Sequence, residues 1–397
     1  MTLSRVAMVG AVVAAGVLAG VPLAAAQPAP EAPTGTTAAP TTTPVAPTST
    51  LPVPALPLPS LPAQLPALPE LSVPALPLPG VVASTIAGTP ESIASQTATP
   101  APAAAVSTPA AAPTATPVAA PACAPWKVST VASGFGVLEN LAFDGDGRLL
   151  LSESPALGEG AIRTLTPSGE KGTLVSGVAS PGGLVVDSDR VVFTTGNNVM
   201  AGLYNGTNGT VESVRRDGSD RTTLARGLTM PNGLTELANG DLLVTHALGN
   251  EPGLTRVPAG TTDKSETVRS DIGSANGIFT SGSRVYIGNT FEKTTEVRVL
   301  DAANLGGDVT TFSLPGNGQT NAGDDLTVDA DGRVYMALNG AGKVVRLDPA
   351  TGDTCEIASG LPLTSSVRFG AGAGWDAASL YTTSFDGTVH RLTPPTN

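Results

Sequence analysis

An all-β fold, a six-bladed β-propeller preceded by a signal peptide and a disordered Pro/Ala-rich stalk, is predicted by three observations. Six similar segments recur at blade spacing through the last two-thirds of the chain. Short strands punctuated by Gly, Asp and Asn turns run through the same region, without helical periodicity. The first third is too rich in proline and too poor in charge to build a core.

Taken in chain order, residues 1–20 carry one basic residue, Arg5, and an apolar run over 6–23 ends in Ala24-Ala25-Ala26. This is the pattern of a secretory signal peptide, residues 1–26, with the mature chain starting near Gln27. The run is short for a span of about 20 residues and contains Pro22, so no integral membrane segment is expected after processing. Residues 27–122 are Pro, Ala, Thr and Leu with almost no charge. Proline every two to four residues over 51–80 blocks helix and sheet alike and predicts an extended, polyproline-like linker. The segment reads as a plain spacer, with its Leu and Val content offering a contact with the cell envelope or a partner as the alternative, and with the leader the expected location is extracellular or envelope-associated.

Residues 123–397 form the propeller domain. Its repeats are LENLAFDGDGRLLLSE, SPGGLVVDSDRVVFTT, MPNGLTELANGDLLVTH, SANGIFTSGSRVYIGN, AGDDLTVDADGRVYMAL and TSSVRFGAGAGWDAASLYTTS. They begin at Leu138, Ser180, Met230, Ser274, Ala322 and Thr364, roughly 42 to 50 residues apart, the period of a propeller blade. Each gives two strands, and a third follows in segments such as AIRTLTP, TVESVRR and KVVRLDP. The sixth unit ends at TVHRLTP with no fourth strand, while KVSTVAS precedes the first unit. The N-terminal strand is therefore expected to complete the last blade and close the ring.

Two cysteines, Cys123 and Cys355, are expected to form a disulfide in an exported chain. Cys123 flanks the closing strand and Cys355 opens the outer strand of the neighbouring blade, so the bridge would pin the closure. Closing a loop of this length is worth about 3–5 kcal/mol in the chain-entropy model. The formal net charge of −12 and the lack of a basic run argue against nucleic acid as a partner. With only two histidines, most zinc chemistry is excluded as well.

The first strand of each blade lines the central channel, so residues at the start of these strands converge. They are Glu139, Gly182, Asn232, Asn276, Asp324 and Ser365 or Ser366. Two carboxylates aimed at one axis repel unless a cation lies between them. Ca²⁺ accepts such oxygen ligands and keeps open positions for water or substrate. Asn-Gly and Asp-Asp also suit turns for backbone reasons alone.

The segments MPNGL, SANGI, GDDLTVDADGRVY and TSSVRFGAGAGWDAASLYTTS resemble successive blade motifs of the SMP-30/gluconolactonase family, the regucalcin-like lactonases. The resemblance covers about 126–394 and implies a six-bladed propeller with one catalytic divalent ion, Ca²⁺ first, in its channel. It implies Glu139, Asn276 and Asp324 as metal ligands, Asp324 also as general base, and Asn232 as a substrate-side or further metal ligand. There are departures: Asn140-Leu141 follows the first ligand in place of Gly-Pro, Gly323-Asp324-Asp325 replaces Pro-Asp-Gly, and Met230 stands where sugar-lactonase members carry a substrate-binding Arg.

The function these readings imply is a secreted metal-dependent hydrolase of a small-molecule lactone or related ester. The alternative is a non-catalytic binding propeller displayed at the envelope by residues 27–122. Two further residues are auxiliary candidates: Asp325 as a neighbour tuning the base, with a solvated rim as its plainer place, and His246 as a proton shuttle or a hydrogen-bonded blade histidine. The sequences DGDG at Asp144 and DADG at Asp329 lack the rest of a calcium loop and read as hairpin turns.

Overall fold

The computed structural model describes residues 123–154 and 159–396. The expected signal peptide, 1–26, and linker, 27–122, lie outside the described residues. Among the described residues twenty-four strands form six four-stranded antiparallel sheets. The first blade contains β2 (Val137–Phe143), β3 (Leu149–Ser154), β4 (Gly160–Leu165) and β5 (Lys171–Val178). The inner strands of the next four blades are β6 (Leu184–Val186), β10 (Pro231–Glu236), β14 (Ala275–Ser281) and β18 (Gly323–Val328), each followed outward by three more strands in sequence order.

The sixth blade consists of β22 (Thr364–Phe369), β23 (Leu380–Ser384), β24 (Val389–Thr393) and β1 (Lys127–Ala132). β1 pairs antiparallel with β24, with Val128 opposite Leu392 and Thr130 opposite His390. The ring closes as the sequence predicts, and Cys123 is bonded to Cys355 across 232 residues of chain with Cα atoms 5.5 Å apart. Cys355 lies in β21 (Thr354–Ser359), the outer strand of the fifth blade.

Alternating side chains on both faces of each sheet bury themselves against the neighbouring blades. Six apolar clusters result, one per interface. Leu138, Leu141 and Leu149 pack against Trp375, Tyr381 and Val389 between the first and last blades. Val297 and Val299 meet Leu326 and Met336 between the fourth and fifth. The remaining four clusters repeat this between the other pairs. Near the channel a row of hydroxyls stitches five of the six blades to the next. Ser152 donates to the Gly182 carbonyl at 2.6 Å, Thr194 to that of Asn232 at 2.9 Å, Thr290 to that of Gly323 at 2.6 Å, and Ser365 to that of Leu138 at 2.6 Å. Thr245 donates likewise to the Asn276 carbonyl.

Asp144 and Asp329 are turn residues, as expected. Each accepts backbone N–H bonds from the residues two and four further on, at 2.9 Å.

Candidate functional site

In five blades the inner strand breaks register near its start, between Leu138 and Leu141, Pro231 and Leu234, Ala275 and Ile278, Gly323 and Leu326, and Thr364 and Val367. A bulge re-aims the residues it frees from the ladder. The freed pairs are Glu139-Asn140, Asn232-Gly233, Asn276-Gly277, Asp324-Asp325 and Ser365-Ser366. Just before three of these bulges a non-glycine residue takes a left-handed backbone: Met230 (φ 44), Ala322 (φ 44) and Leu363 (φ 58).

The first residues of four pairs, Glu139, Asn232, Asn276 and Asp324, line one cavity of about 90 Å³. These are four of the residues that the sequence reading places at the starts of the channel strands. The sixth-blade serines do not join them: Ser365 is engaged with Leu138 and Thr383, and Ser366 with Asp325. Gly182 serves the backbone, since a Cβ there would lie 2.9 Å from the Asn232 carbonyl oxygen.

The second residues of the pairs sit away from the cavity. A Cβ on Gly277 would come within 2.4 Å of the Asp325 Cα, so blades four and five approach there through bare backbone. Asp325 corrects the rim expectation: it is buried, and it does not line the cavity. Its Oδ2 takes an ion pair from Arg368 at 2.7 Å and hydrogen bonds from Ser366 at 2.5 Å and Asn140 at 3.0 Å. Nor does His246 reach the cavity as a shuttle. Its Nδ1 faces the Thr229 carbonyl at 2.7 Å and its Nε2 the Thr255 hydroxyl at 2.9 Å, and burial holds its imidazole below the ordinary value.

Three polar neighbours were missed by the sequence reading. Asn197 donates from Nδ2 to Glu139 Oε1 at 2.8 Å. Thr290 accepts from Asn276 Nδ2 at 2.7 Å, and Asn339 donates to Asp324 Oδ2 at 3.3 Å. All three follow the second strand of a blade, which runs antiparallel to the first and so ends at the same mouth. Reading the ends of the second strands as well as the starts of the first would have found them.

Electrostatically the site is short of positive charge. Glu139, part-buried at the cavity wall, is pushed up from 4.5 to about 7 by desolvation, opposed by the Asn197 hydrogen bond and helped by the nearby Asp325. Asp324, buried, is raised well above the usual carboxylate range by desolvation first and then by Glu139 and Asp325. Two amide oxygens, Asn276 Oδ1 and Asn197 Oδ1, are buried and accept no hydrogen bond. Their amide nitrogens are held by Thr290 and Glu139, which leaves those oxygens as uncommitted acceptors. Two carboxylates and unpaired amide oxygens are a hard-oxygen donor set of the kind that suits Ca²⁺ or Mg²⁺. Among the described residues no group of three or more His, Cys, Asp and Glu has metal-binding geometry. Any cation site here therefore depends on the amides as well as the two carboxylates.

A pH prediction follows from the raised carboxyls. A folded-state pKa above the unfolded one gives stability that is complete below about 4.5 and lost as pH climbs to about 7. For Glu139 the loss amounts to as much as about 3 kcal/mol. Denaturant unfolding of the chelator-treated chain at about pH 5 and about pH 8 should show greater stability at the acid end, and Glu139→Gln should flatten that difference.

Fold and site together define a six-bladed propeller with an acidic, amide-lined cavity at one end of its channel. The chain belongs to the SMP-30/gluconolactonase/LRE-like family, whose region matches residues 142–386, more than half of its length. That span holds Asn232, Asn276 and Asp324 and begins just past Glu139. Among solved structures, a putative gluconolactonase is 16% identical, with TM-score 0.52 over 68% of this chain and 92% of that one. A luciferin-regenerating enzyme is 17% identical with TM-score 0.49, covering 68% of this chain and 95% of that one. An inactive virginiamycin B lyase from Staphylococcus aureus is 15% identical with TM-score 0.49, over 68% of this chain and all (100%) of that one. A search of curated proteins found no match.

Proposed function

We propose that this chain is an exported hydrolase of lactones or related esters that works with one divalent cation, Ca²⁺ first. The observation that carries the reading is the convergence of two charge-starved carboxylates, Glu139 and Asp324, with unpaired buried amide oxygens in one cavity. Glu139, Asn276 and Asp324 would hold the cation, with Asn232 beside it on the substrate side. When bound, the cation would polarise an ester carbonyl and offset the negative charge that grows on its oxygen.

The chain's own residues supply the rest. Asp324 accepts a proton from water as the water oxygen bonds to the acyl carbon. The ring C–O bond then breaks, the ring oxygen takes a proton, and the product is a hydroxycarboxylate plus one proton. Asn339 holds Asp324 and Asn197 holds Glu139, so both carboxylates keep their orientation between turnovers. The apolar wall of Phe291 and Phe385 excludes bulk water from the reacting atoms.

Export is supported by the disulfide, which belongs to oxidising compartments, and by the leader-like sequence of residues 1–26. Residues 27–122 would act as the spacer and any envelope contact. No helix among the described residues is long and apolar enough to cross a membrane.

The test is lactone hydrolysis by the full chain, followed as acid release with calcium and with chelator. Calcium-dependent turnover is expected. A calcium-dependent rise in Tm with no turnover on any lactone or ester would replace the hydrolase by a binding propeller.

A further inference from the structure

We propose that the cavity takes a lactone bearing an alkyl or aryl substituent, not a polyhydroxylated one; this rests on the hydrolase reading above and adds the substrate class. Above the polar floor the cavity wall is apolar, formed by Val199, Met230, Phe291 and Phe385. Met230 stands two residues before Asn232 and joins Leu248 and Phe291 in a buried apolar cluster on which Val199 packs. Among the described residues no Lys, Arg or His lines the cavity.

Apart from Asn232 and the Asn197 and Asn276 amide oxygens on the polar floor, the polar groups that line it have little left for substrate hydroxyls. Thr290 is spent on Asn276 and the Gly323 carbonyl, and Asn339 on Asp324 and the Leu363 carbonyl. A sugar lactone would bury several hydroxyls against this wall without partners, and each such hydroxyl weakens its binding. An alkyl group in the same place gains from burial.

Size then fixes where the substituent goes. About 90 Å³ admits a small ring, far below the roughly 300 Å³ of a pocket for a drug-sized ligand, so the tail must leave through the mouth. One wall of the mouth is the short helix α1 (Val199–Tyr204), capped by Asn198, whose side chain accepts from the Met200 and Ala201 backbone N–H groups. Asn197, next in line, holds Glu139, so α1 is tethered directly to the site. Gly202 seats the helix: a Cβ there would lie 2.8 Å from Met230 Sδ and 2.6 Å from Leu248 Cβ. While Val199 faces the cavity, Met200 and Tyr204 on the same helix are 51% and 77% exposed. They are two of the three exposed large hydrophobic residues among those described. Both stand on the solvent side of α1, away from the face that carries Val199 and Leu203, so the apolar contact for the substituent is the cavity wall itself.

The test uses γ-lactones from unsubstituted to hexyl-substituted against gluconolactone, with the full chain in calcium. The value of kcat/KM is expected to rise by about threefold per methylene over the first few, and to exceed that for gluconolactone by at least about tenfold. Binding is read separately from turnover by the methyl NMR signal of Met230, one of five methionines, assigned by its loss in Met230→Leu. Equal or faster turnover of gluconolactone overturns the substrate class and leaves the hydrolase standing. A Met230 shift with the hexyl lactone but no turnover supports the apolar ligand and overturns the hydrolase. Neither shift nor turnover overturns both.

Discussion

Asp324→Asn lowers lactone turnover by roughly 10²- to 10⁴-fold, the range for loss of a general base, while the propeller stays folded. The carboxylate does two things in the proposed reaction: it helps hold the cation and it receives the proton of the attacking water. Asparagine keeps the shape and the hydrogen bond from Asn339, but it cannot take a proton at neutral pH. The substitution has an opposite sign for the cation-free fold. Asp324 is buried, and its ionised form is disfavoured by desolvation and by the charges of Glu139 and Asp325. Removing that charge relieves both penalties, so the variant should melt at or above the parent temperature in chelator. In calcium the order reverses, because only the parent gains stability from the ion. Crossing Tm values with lost turnover would establish the site. Full activity in Asp324→Asn would sink the mechanism, and a variant that melts lower in chelator would show that Asp324 is structural.

How much of this was legible in the sequence follows from what a repeat does and does not encode. The six inner strands announce themselves because each must carry the same apolar alternation to fill the interfaces on its two faces, as Leu141 and Phe143 do in the first blade and Leu326 and Val328 in the fifth. Whatever breaks that alternation at the same point of several repeats stands out, which is how Glu139, Asn232, Asn276 and Asp324 were found. Asn197, Thr290 and Asn339 follow the second strands, in connections of unequal length where the repeats no longer align. Phe385 and Val199 are hidden for the same reason. Asp325 misled because an acidic residue beside a turn reads as solvated. Only the fold shows Arg368, 43 residues later in the chain, reaching its carboxylate from the next blade. His246 was a candidate because it ends an inner hairpin strand and could face the channel, and its two hydrogen bonds come from backbone and hydroxyl groups that no motif marks.

Loss of the Cys123–Cys355 bridge, in the double variant Cys123→Ser with Cys355→Ser, is the largest stability change expected, about 5 kcal/mol on the loop-entropy scale for a 232-residue separation. For a domain of this size that is a fall in Tm of roughly 10 °C or more. The topology says why the bridge matters. The segment before β1 lies on the fifth blade, where the Trp126 backbone N–H donates to the Ile357 carbonyl at 2.7 Å and the indole packs on Tyr335 with ring centroids 5.8 Å apart. Directly after it the chain crosses to the sixth blade and becomes its outer strand. The ring is thus held shut by one strand whose preceding residues are clamped to the neighbouring blade, and the disulfide fixes that clamp at its end. In the unfolded chain the same bond ties together residues at opposite ends of the domain, which removes most of their freedom before folding starts. Contact and cross-link can be separated. Trp126→Ala, with the bridge intact, removes the ring packing alone and should cost less than the double serine variant. If Trp126→Ala costs as much as breaking the bridge, closure is a matter of packing, and the long-loop argument fails. If reduction of the parent by a thiol lowers Tm as far as the serine pair does, the covalent link itself is what keeps the sixth blade in the ring.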